Sequence, residues 1–403
     1  MAKNLLYAQS GGPTVVINAS AAGVIAQAQQ SLKFEKILAA HYGMDGILAE
    51  DFFDCSSMTN KQIDLLSKTP AAAFGSCRYH LPEQENAGDV YQKIAEIFQR
   101  HNIGCFVYNG GNDSMDTCHK ISKYFKQHNV DCVVVGVPKT VDNDLVETSH
   151  CPGYGSAAKY IATTMQEIAL DIDVYKSGRI TICEIMGRDA GWLTASTCLA
   201  NLSGNGPDLI YLPERPFDTE EFFRRAVEIF HQKKKCLVAV SEGIRDKDGN
   251  YIGASTARDS FNHAQLGGVG AFLANQITQR FGIKTRAVEL SLPQRCAGHL
   301  ASLADHDDAF LAGRSAVNLA LLGKSGQMVA LERKGDSTTC RGIDVGLVAN
   351  KVKDFPKHVI TDDGAGIKEE FLHYLLPLIQ GEVQQTYKNG MPLYFDASVL
   401  PKV

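Results

Sequence analysis

Two stretches of this chain follow one plan: an apolar strand, a Gly-Gly turn, then a helix-forming run. Asn4 to Ala8 reads as a strand, Ser10-Gly11-Gly12-Pro13-Thr14 as a tight loop and Val15 to Gln30 as a helix. Ile103 to Tyr108, Asn109-Gly110-Gly111-Asn112-Asp113 and Ser114 to Gln127 repeat the order. Parallel strands need a crossover connection, usually a helix, so this alternation predicts an α/β fold of the doubly wound type. A second alternating set starts near Gly153. It comprises helix Ser156 to Tyr175, strand Arg179 to Ile185, a helix from Ala190, strand Asp208 to Leu212 and helix Thr219 to Gln232. Strand Cys236 to Val240, helix Gly267 to Phe281 and strand Thr285 to Leu290 complete it. Near Gln294 the chain is expected to cross back, because helix Asp305 to Leu322 and strand Gln327 to Leu331 resemble a return to the first sheet. Residues after about Lys368 read as one amphipathic helix and an extended tail.

A chain of 403 residues exceeds the size at which single cores stop growing, roughly 250 to 300 residues, so two joined domains are expected. Forty Lys and Arg against 45 Asp and Glu give a formal charge of −5, and the one basic block, Lys233-Lys234-Lys235, ends an amphipathic helix. Nothing in this balance suggests a nucleic-acid or polyanion binder. No basic leader and no apolar run of roughly 18 residues occurs, which predicts a cytoplasmic protein with no membrane partner. The eleven cysteines have no C-x-x-C spacing and read as reduced core residues.

The densest chemistry is Val137-Pro138-Lys139-Thr140-Val141-Asp142-Asn143-Asp144, one ammonium and two carboxylates at the carboxyl end of the apolar run from Cys132. Ligands of open α/β sheets bind at that end of the strands. A lysine three residues before an aspartate on a tight turn can neutralise an anion while the carboxylate accepts a proton, which suits phosphoryl transfer. A Gly-Gly loop before a helix lets backbone N–H groups approach an anion. Tight βα turns also need glycine for steric reasons alone, so either loop by itself does not establish a ligand. Neither is a P-loop or a G-x-G-x-x-G fingerprint. Arg179, Met186-Gly187-Arg188, Ser241-Glu242-Gly243, Arg286 and Arg295 fall at strand edges of the second set, where guanidinium forks suit phosphate. His299, Asp305, His306, Asp307 and Asp308 resemble a metal cluster by composition, but acidic residues favour a helix start, so they read as caps. Trp192 reads as core, and Asp171 and Asp173 cannot share a helix face.

From Leu5 to about Val348 these elements resemble the phosphofructokinase family. The resemblance is carried, in order, by S-G-G at Ser10, Gly75-Ser76-Cys77-Arg78, the second Gly-Gly loop, P-K-T-V-D-N-D from Pro138, M-G-R-D-A-G-W from Met186, S-E-G at Ser241 and Q-R at Gln294. It implies two Rossmann-like doubly wound domains with the active site in the cleft between them. The donor domain is expected over residues 1–153 plus about 295–345, and the fructose 6-phosphate domain over 154–294 plus a C-terminal segment of about 346–403. Members using ATP carry glycine at the positions of Asp113 and Lys139, whereas members using diphosphate carry Asp and Lys. A carboxylate at 113 would repel the α-phosphate of ATP, and Lys139 could stabilise charge on a departing phosphate.

Residue by residue, the resemblance implies Asp142 as proton acceptor, Lys139 as stabiliser of the transition state and leaving group, and Asp113 as the block to ATP. Gly11, Gly12, Arg78 and Gly111 would bind diphosphate. Thr140, Asp144, Met186, Gly187, Arg188, Glu242 and Arg295 would hold the sugar phosphate, and Arg179 and Arg286 would reach its 6-phosphate from a neighbouring subunit, implying a homodimer or homotetramer. Mg²⁺ is the implied cofactor. Three positions depart from the pattern. Asn112 stands where a magnesium-linked aspartate is usual, Leu292 where ATP-using members have a substrate-binding histidine, and Pro13 where they have an acidic residue. Two other readings are an ATP-dependent kinase, opposed by Asp113 and Lys139, and a non-catalytic sugar-phosphate sensor, opposed by Asp142, Gly11 and Gly12.

Overall fold

The computed structural model describes residues 3–253, 268–335 and 337–403. The chain runs β1 (Lys3–Gln9), α1 (Ile17–Ser31), β2 (Phe34–Ala40), α2 (Gly43–Ala49), β3 (Phe52–Asp54), α3 (Asn60–Ser67), α4 (Gly88–Arg100), β4 (Ile103–Gly110), α5 (Asn112–Gln127) and β5 (Val133–Pro138). It continues with α6 (Tyr154–Ile172), β6 (Arg179–Ile185), α7 (Trp192–Ala195), β7 (Leu209–Tyr211), α8 (Thr219–Lys233), β8 (Lys235–Ser241), α9 (Val269–Phe281) and β9 (Thr285–Glu289). Then follow α10 (Leu303–Leu321), β10 (Gln327–Lys334) and β11 (Ser337–Asp344). Gly267, expected to open α9, lies outside the described residues.

The chain divides into two units. One comprises Met1–Ser156, Arg295–Lys353 and Gln380–Val403, and the other Ala157–Gln294 with Asp354–Ile379. In the first unit the strands are ordered β11-β10-β5-β4-β1-β2-β3. The five central strands are parallel, and β3 and β11 pair antiparallel at the edges. Alternate residues on each central strand enter opposite layers, as a two-residue period requires. Leu6, Ala8, Phe106, Tyr108 and Val134 join one buried cluster, and Leu5, Tyr7, Cys105, Val107, Val135 and Val137 the other. Truncating a filled position such as Phe106 to Ala would cost about 3–5 kcal/mol.

The second unit holds a parallel sheet ordered β7-β8-β6-β9 around a core that includes Ile180, Ile182, Val238, Val240, Phe222 and Leu273. Trp192 is buried, its ring 5.0 Å from Phe355 and 5.6 Å from Tyr374. Lys233 and Lys235 of the basic block pair with Asp208 and Asp173. All eleven cysteines are free thiols.

The C-terminal segment departs from the expected division. Only residues 354–379 join the second unit, where Ala365 accepts a hydrogen bond from the Ile210 N–H at 2.9 Å. The last stretch returns to the first unit because Phe395, Ala397 and Leu400 fill the cluster under β1, and Asp54 N–H bonds the Pro401 carbonyl at 2.8 Å. In place of the single amphipathic helix expected after Lys368 there is one α-helical turn, α11 (Leu372–Leu375), flanked by 3₁₀ turns. A short hairpin follows, β12 (Tyr387–Lys388) and β13 (Met391–Pro392).

The acidic run in the first turns of α10 also acts differently from expectation. Ser302 caps α10, accepting from the Asp305 N–H, while the buried Asp305 carboxylate accepts the N–H groups of Gly153 and Ser156 at 2.9 Å each, at the start of α6. Asp308 is shared by His150 Nε2 at 2.8 Å and Arg333 Nη1 at 3.0 Å. Among the described residues, no group of three or more His, Cys, Asp or Glu side chains is arranged to hold a metal, and no helix is long and apolar enough to cross a membrane.

Candidate functional site

In the first unit the loop after β1 and the turn at Gly75–Arg78 are locked together. Ser10 and Cys77 form a parallel bridge, Gly11 N–H donates to the Cys77 carbonyl at 3.0 Å, and Ser76 Oγ donates to the Gly11 carbonyl at 2.7 Å. Gly11 adopts φ +74°, a left-handed conformation that disfavours a side chain, and a Cβ there would stand 3.3 Å from Lys139 Nζ. A Cβ at Gly12 would stand 3.1 Å from Arg295 Nη1. The Gly-Gly loop is thus roofed by cations. Lys139 is 3% exposed and its ammonium donates to the Gly12 carbonyl. Burial pushes its pKa down to about 8 against the pull of Asp142 and Asp144, and Arg78 and Arg295 push it the same way as burial. A concentration of positive charge over a glycine turn is suited to a polyanion.

The second Gly-Gly loop leads into α5, with Gly111 at its N-cap and Asp113 exposed in its first turn. β4 and β5 run side by side to Gly110 and Pro138, and the Lys139 N–H bonds the Gly110 carbonyl at 3.0 Å, so the lysine is delivered between the two glycine loops. The turn beyond it is fixed by Asp142 N–H to Thr140 Oγ1 at 3.0 Å and Cys151 N–H to Asn143 Oδ1 at 3.0 Å, with Asn143 at φ +54°. Asn112 Nδ2 donates to Asp144 Oδ2 at 3.2 Å, and burial pushes the Asp144 carboxyl up. Asn112 Oδ1 is buried with no hydrogen-bond donor among the described residues. An orphaned amide oxygen beside a carboxylate fits a hard cation such as Mg²⁺, which takes few protein ligands and keeps several waters.

Beneath these loops lies a buried polar network that the sequence reading did not single out. Asn18 Nδ2 donates to the Thr69 and Ala71 carbonyls at 2.9 and 2.7 Å, while its Oδ1 accepts from Gln9 Nε2 at 2.9 Å and the Ala73 N–H at 3.0 Å. Gln9 Oε1 accepts the Phe74 N–H, and Asn109 Nδ2 donates to the Tyr7 hydroxyl at 2.9 Å. These contacts hold the segment that leads into Gly75–Arg78. The available signal was chemical: Gln9, Asn18 and Asn109 are fully buried polar residues in otherwise apolar elements.

In the second unit the carboxyl ends of β6 and β8 form a compact pair of loops. Glu242 N–H bonds the Ile185 carbonyl at 2.9 Å, Glu242 Oε1 accepts the Gly187 N–H at 3.2 Å, and Ser241 Oγ donates to the Gly187 carbonyl. Gly187 adopts φ +141°, and a Cβ there would fall 2.7 Å from the Ala190 carbonyl. Met186 N–H reaches Gln294 Oε1 at 3.3 Å. Burial pushes the Glu242 carboxyl up, opposed by the Gly187 N–H and Arg188. Next to it, the Glu184 carboxylate accepts the N–H groups of Gly268 and Gly270 at the start of α9. Met186, Gly187, Arg188 and Glu242 therefore gather as expected. Arg179 and Arg286 do not join them within one chain. Arg179 opens β6 and Arg286 lies opposite Thr181, so both stand at the other end of the sheet, on the order of 20 Å along the strand. Arg179 is buried and ion-paired with Asp171, whereas Arg286 is exposed on the edge strand β9.

Residues 4–320 match the family model described as phosphofructokinase. The chain is 43% identical over 396 residues to the pyrophosphate–fructose 6-phosphate 1-phosphotransferase of Halomonas elongata, covering 96% of this chain and 94% of that protein. It is 43% identical over 402 residues to the enzyme of the same name from Xanthomonas campestris, covering 97% and 95%. Among solved structures, the pyrophosphate-dependent phosphofructokinase from Nitrosospira multiformis is similar with a TM-score of 0.89 at 38% identity, covering 98% of this chain and 96% of that one.

Proposed function

Because this chain belongs to the phosphofructokinase family, we propose that it transfers a phosphoryl group from diphosphate to the 1-hydroxyl of fructose 6-phosphate. The products are fructose 1,6-bisphosphate and phosphate, and the reaction is reversible. The observation that carries the choice of donor is Lys139. Its ammonium sits over the Gly11-Gly12 turn, with Asp113 in the first turn of the neighbouring helix. Diphosphate bound at Gly11, Gly12 and Gly111, with Arg78 beside it, meets a cation at the phosphate that departs. ATP would have to place its α-phosphate against the Asp113 carboxylate.

In the forward direction Asp142 accepts the proton of the sugar 1-hydroxyl as its oxygen forms a bond to phosphorus. The bridging P–O bond of diphosphate breaks, and the leaving phosphate takes the electron pair under the charge of Lys139. Phosphoryl transfer of this kind depends on positioning and electrostatics more than on covalent assistance. Asn112 would hold Mg²⁺, which when bound would supply charge neutralisation to the phosphoryl oxygens. Thr140, Met186, Gly187, Arg188 and Glu242 bind the sugar phosphate, with Asp144 alongside. Arg295, expected on the sugar, is equally suited to the donor by its place over Gly12. Arg179 and Arg286, at the far end of the β6–β9 sheet, serve a partner subunit's site, so the working form is a homodimer or homotetramer in the cytoplasm.

A coupled assay offering diphosphate or ATP with fructose 6-phosphate and Mg²⁺ tests the reading. Turnover with diphosphate is expected, and turnover with ATP alone would overturn the donor assignment.

A further inference from the structure

Lys353 closes the second segment of the first unit, in a stretch with no chemical motif. It grips the strand-to-helix connection after β5 twice. Its backbone N–H donates to the Asp144 carbonyl at 2.7 Å, and its Nζ donates to the carbonyls of Thr148 and Ser149 at 3.3 and 3.2 Å. The other side of the same segment is sewn to β10: Ser149 N–H bonds the Leu331 carbonyl at 2.9 Å, and Leu331 N–H bonds Thr148 Oγ1 at 3.0 Å. Residues 144–149 are therefore clamped between a strand and one lysine. Asp144 carries the effect onward, because its carboxylate holds the Asn112 amide.

We infer that Lys353 is a positioning residue of the phosphoryl-transfer site, its ammonium anchoring the Thr148–Ser149 end of the segment whose other end is Asp144, and thereby steadying the acceptor side of the reaction. The inference rests on the reading of the Thr140–Asp144 turn given above. The Gly11-Gly12 loop is held by other means, the Cys77 bridge, so loss of Lys353 leaves that loop in place.

Lys353→Met keeps the aliphatic stem and removes the charge. The expected result is a kcat lowered about 10- to 100-fold, as misplacement of reacting groups produces. The KM for fructose 6-phosphate and its calorimetric dissociation constant should each rise about fivefold, with the KM for diphosphate within about twofold of wild type. Lys353→Arg, which restores a buried cation, should recover most of the loss. If Lys353→Met does not fold, Lys353→Gln carries the same comparison. A folded variant with unchanged constants overturns the inference. So does a parallel rise in both KM values with lowered Tm and no recovery in Lys353→Arg, because that pattern marks a purely structural strap. Failure of the wild type to use diphosphate would instead overturn the functional reading, and the fructose 6-phosphate binding comparison would still decide the role of Lys353.

Discussion

Lys139→Met should make the free protein more stable while crippling it. The ammonium is buried, and its pKa falls from the ordinary 10.5 to about 8. At about 1.4 kcal/mol per pH unit, holding that charge costs about 3 kcal/mol at neutral pH. The substitution also removes the donor to the Gly12 carbonyl, a loss of about 1–2 kcal/mol. The net gain is about 1–2 kcal/mol, or a Tm higher by about 2–4 °C. The sign depends on pH in a defined way. Below pH 8 the lysine is protonated in both the folded and unfolded states, and the full cost is present. Between pH 8 and 10.5 the unfolded chain binds more protons than the folded one, so wild-type stability rises with pH. The advantage of the variant should therefore shrink above pH 8, vanish near about pH 9 and reverse in the upper part of that window. Activity should move the opposite way, with diphosphate turnover down roughly 10²- to 10³-fold, the usual loss on removing a charge-stabilising donor. Thermal unfolding of both proteins from pH 7 to 10, together with the coupled assay, checks this. A variant that is less stable at pH 7 by an amount that stays constant to pH 10 would show that the buried ammonium is not strained.

Asp142→Ser should remove most turnover and leave the calorimetric affinity for fructose 6-phosphate near wild type; lost binding in a folded variant would count against a proton-accepting role. Replacing Asp113 and Lys139 together by glycine should permit ATP binding and weaken the use of diphosphate, read as the ratio of kcat/KM for the two donors, and an unchanged ratio would remove these positions from donor choice. Asn18→Ala leaves the Thr69 and Ala71 carbonyls and the Ala73 N–H without partners, so about 3–5 kcal/mol of stability should be lost by denaturant unfolding. Under conditions where that variant is folded, the KM for diphosphate should rise more than the KM for fructose 6-phosphate, because Arg78 follows the segment that Asn18 holds.

Periodicity and glycine placement made the parallel sheets readable in advance: β6 spans the residues expected, and β1, β4, β5 and α8 differ by one or two positions at an end. Elements without that contrast were harder. β2 begins with Phe34, Glu35, Lys36 at the exposed rim and becomes apolar only toward Ala40, and β11 alternates weakly because it is an exposed edge. The site residues on loops were visible because each is a charged or glycine residue at a strand end. What could not be read was action at a distance in sequence. Asp305 serves α6 rather than its own helix, Lys353 reaches back to Asp144, and Arg295 stands over Gly12. Nothing local in those segments encodes the partner, which only the assembled unit supplies.

The helix starts differ in how their positive ends are met. The first turns of α6 and α9 are already neutralised by Asp305 and Glu184, carboxylates supplied from other parts of the chain. α1 and α5, which follow the two glycine loops, have no side-chain cap. A helix start with a built-in anion presents nothing for a visiting phosphate to complete, whereas an unfinished one behaves as a vacancy in the electrostatics that only the right guest fills. On the proposed reading, Asp305 and Glu184 thus remove two helix starts from competition with the glycine loops for an anion.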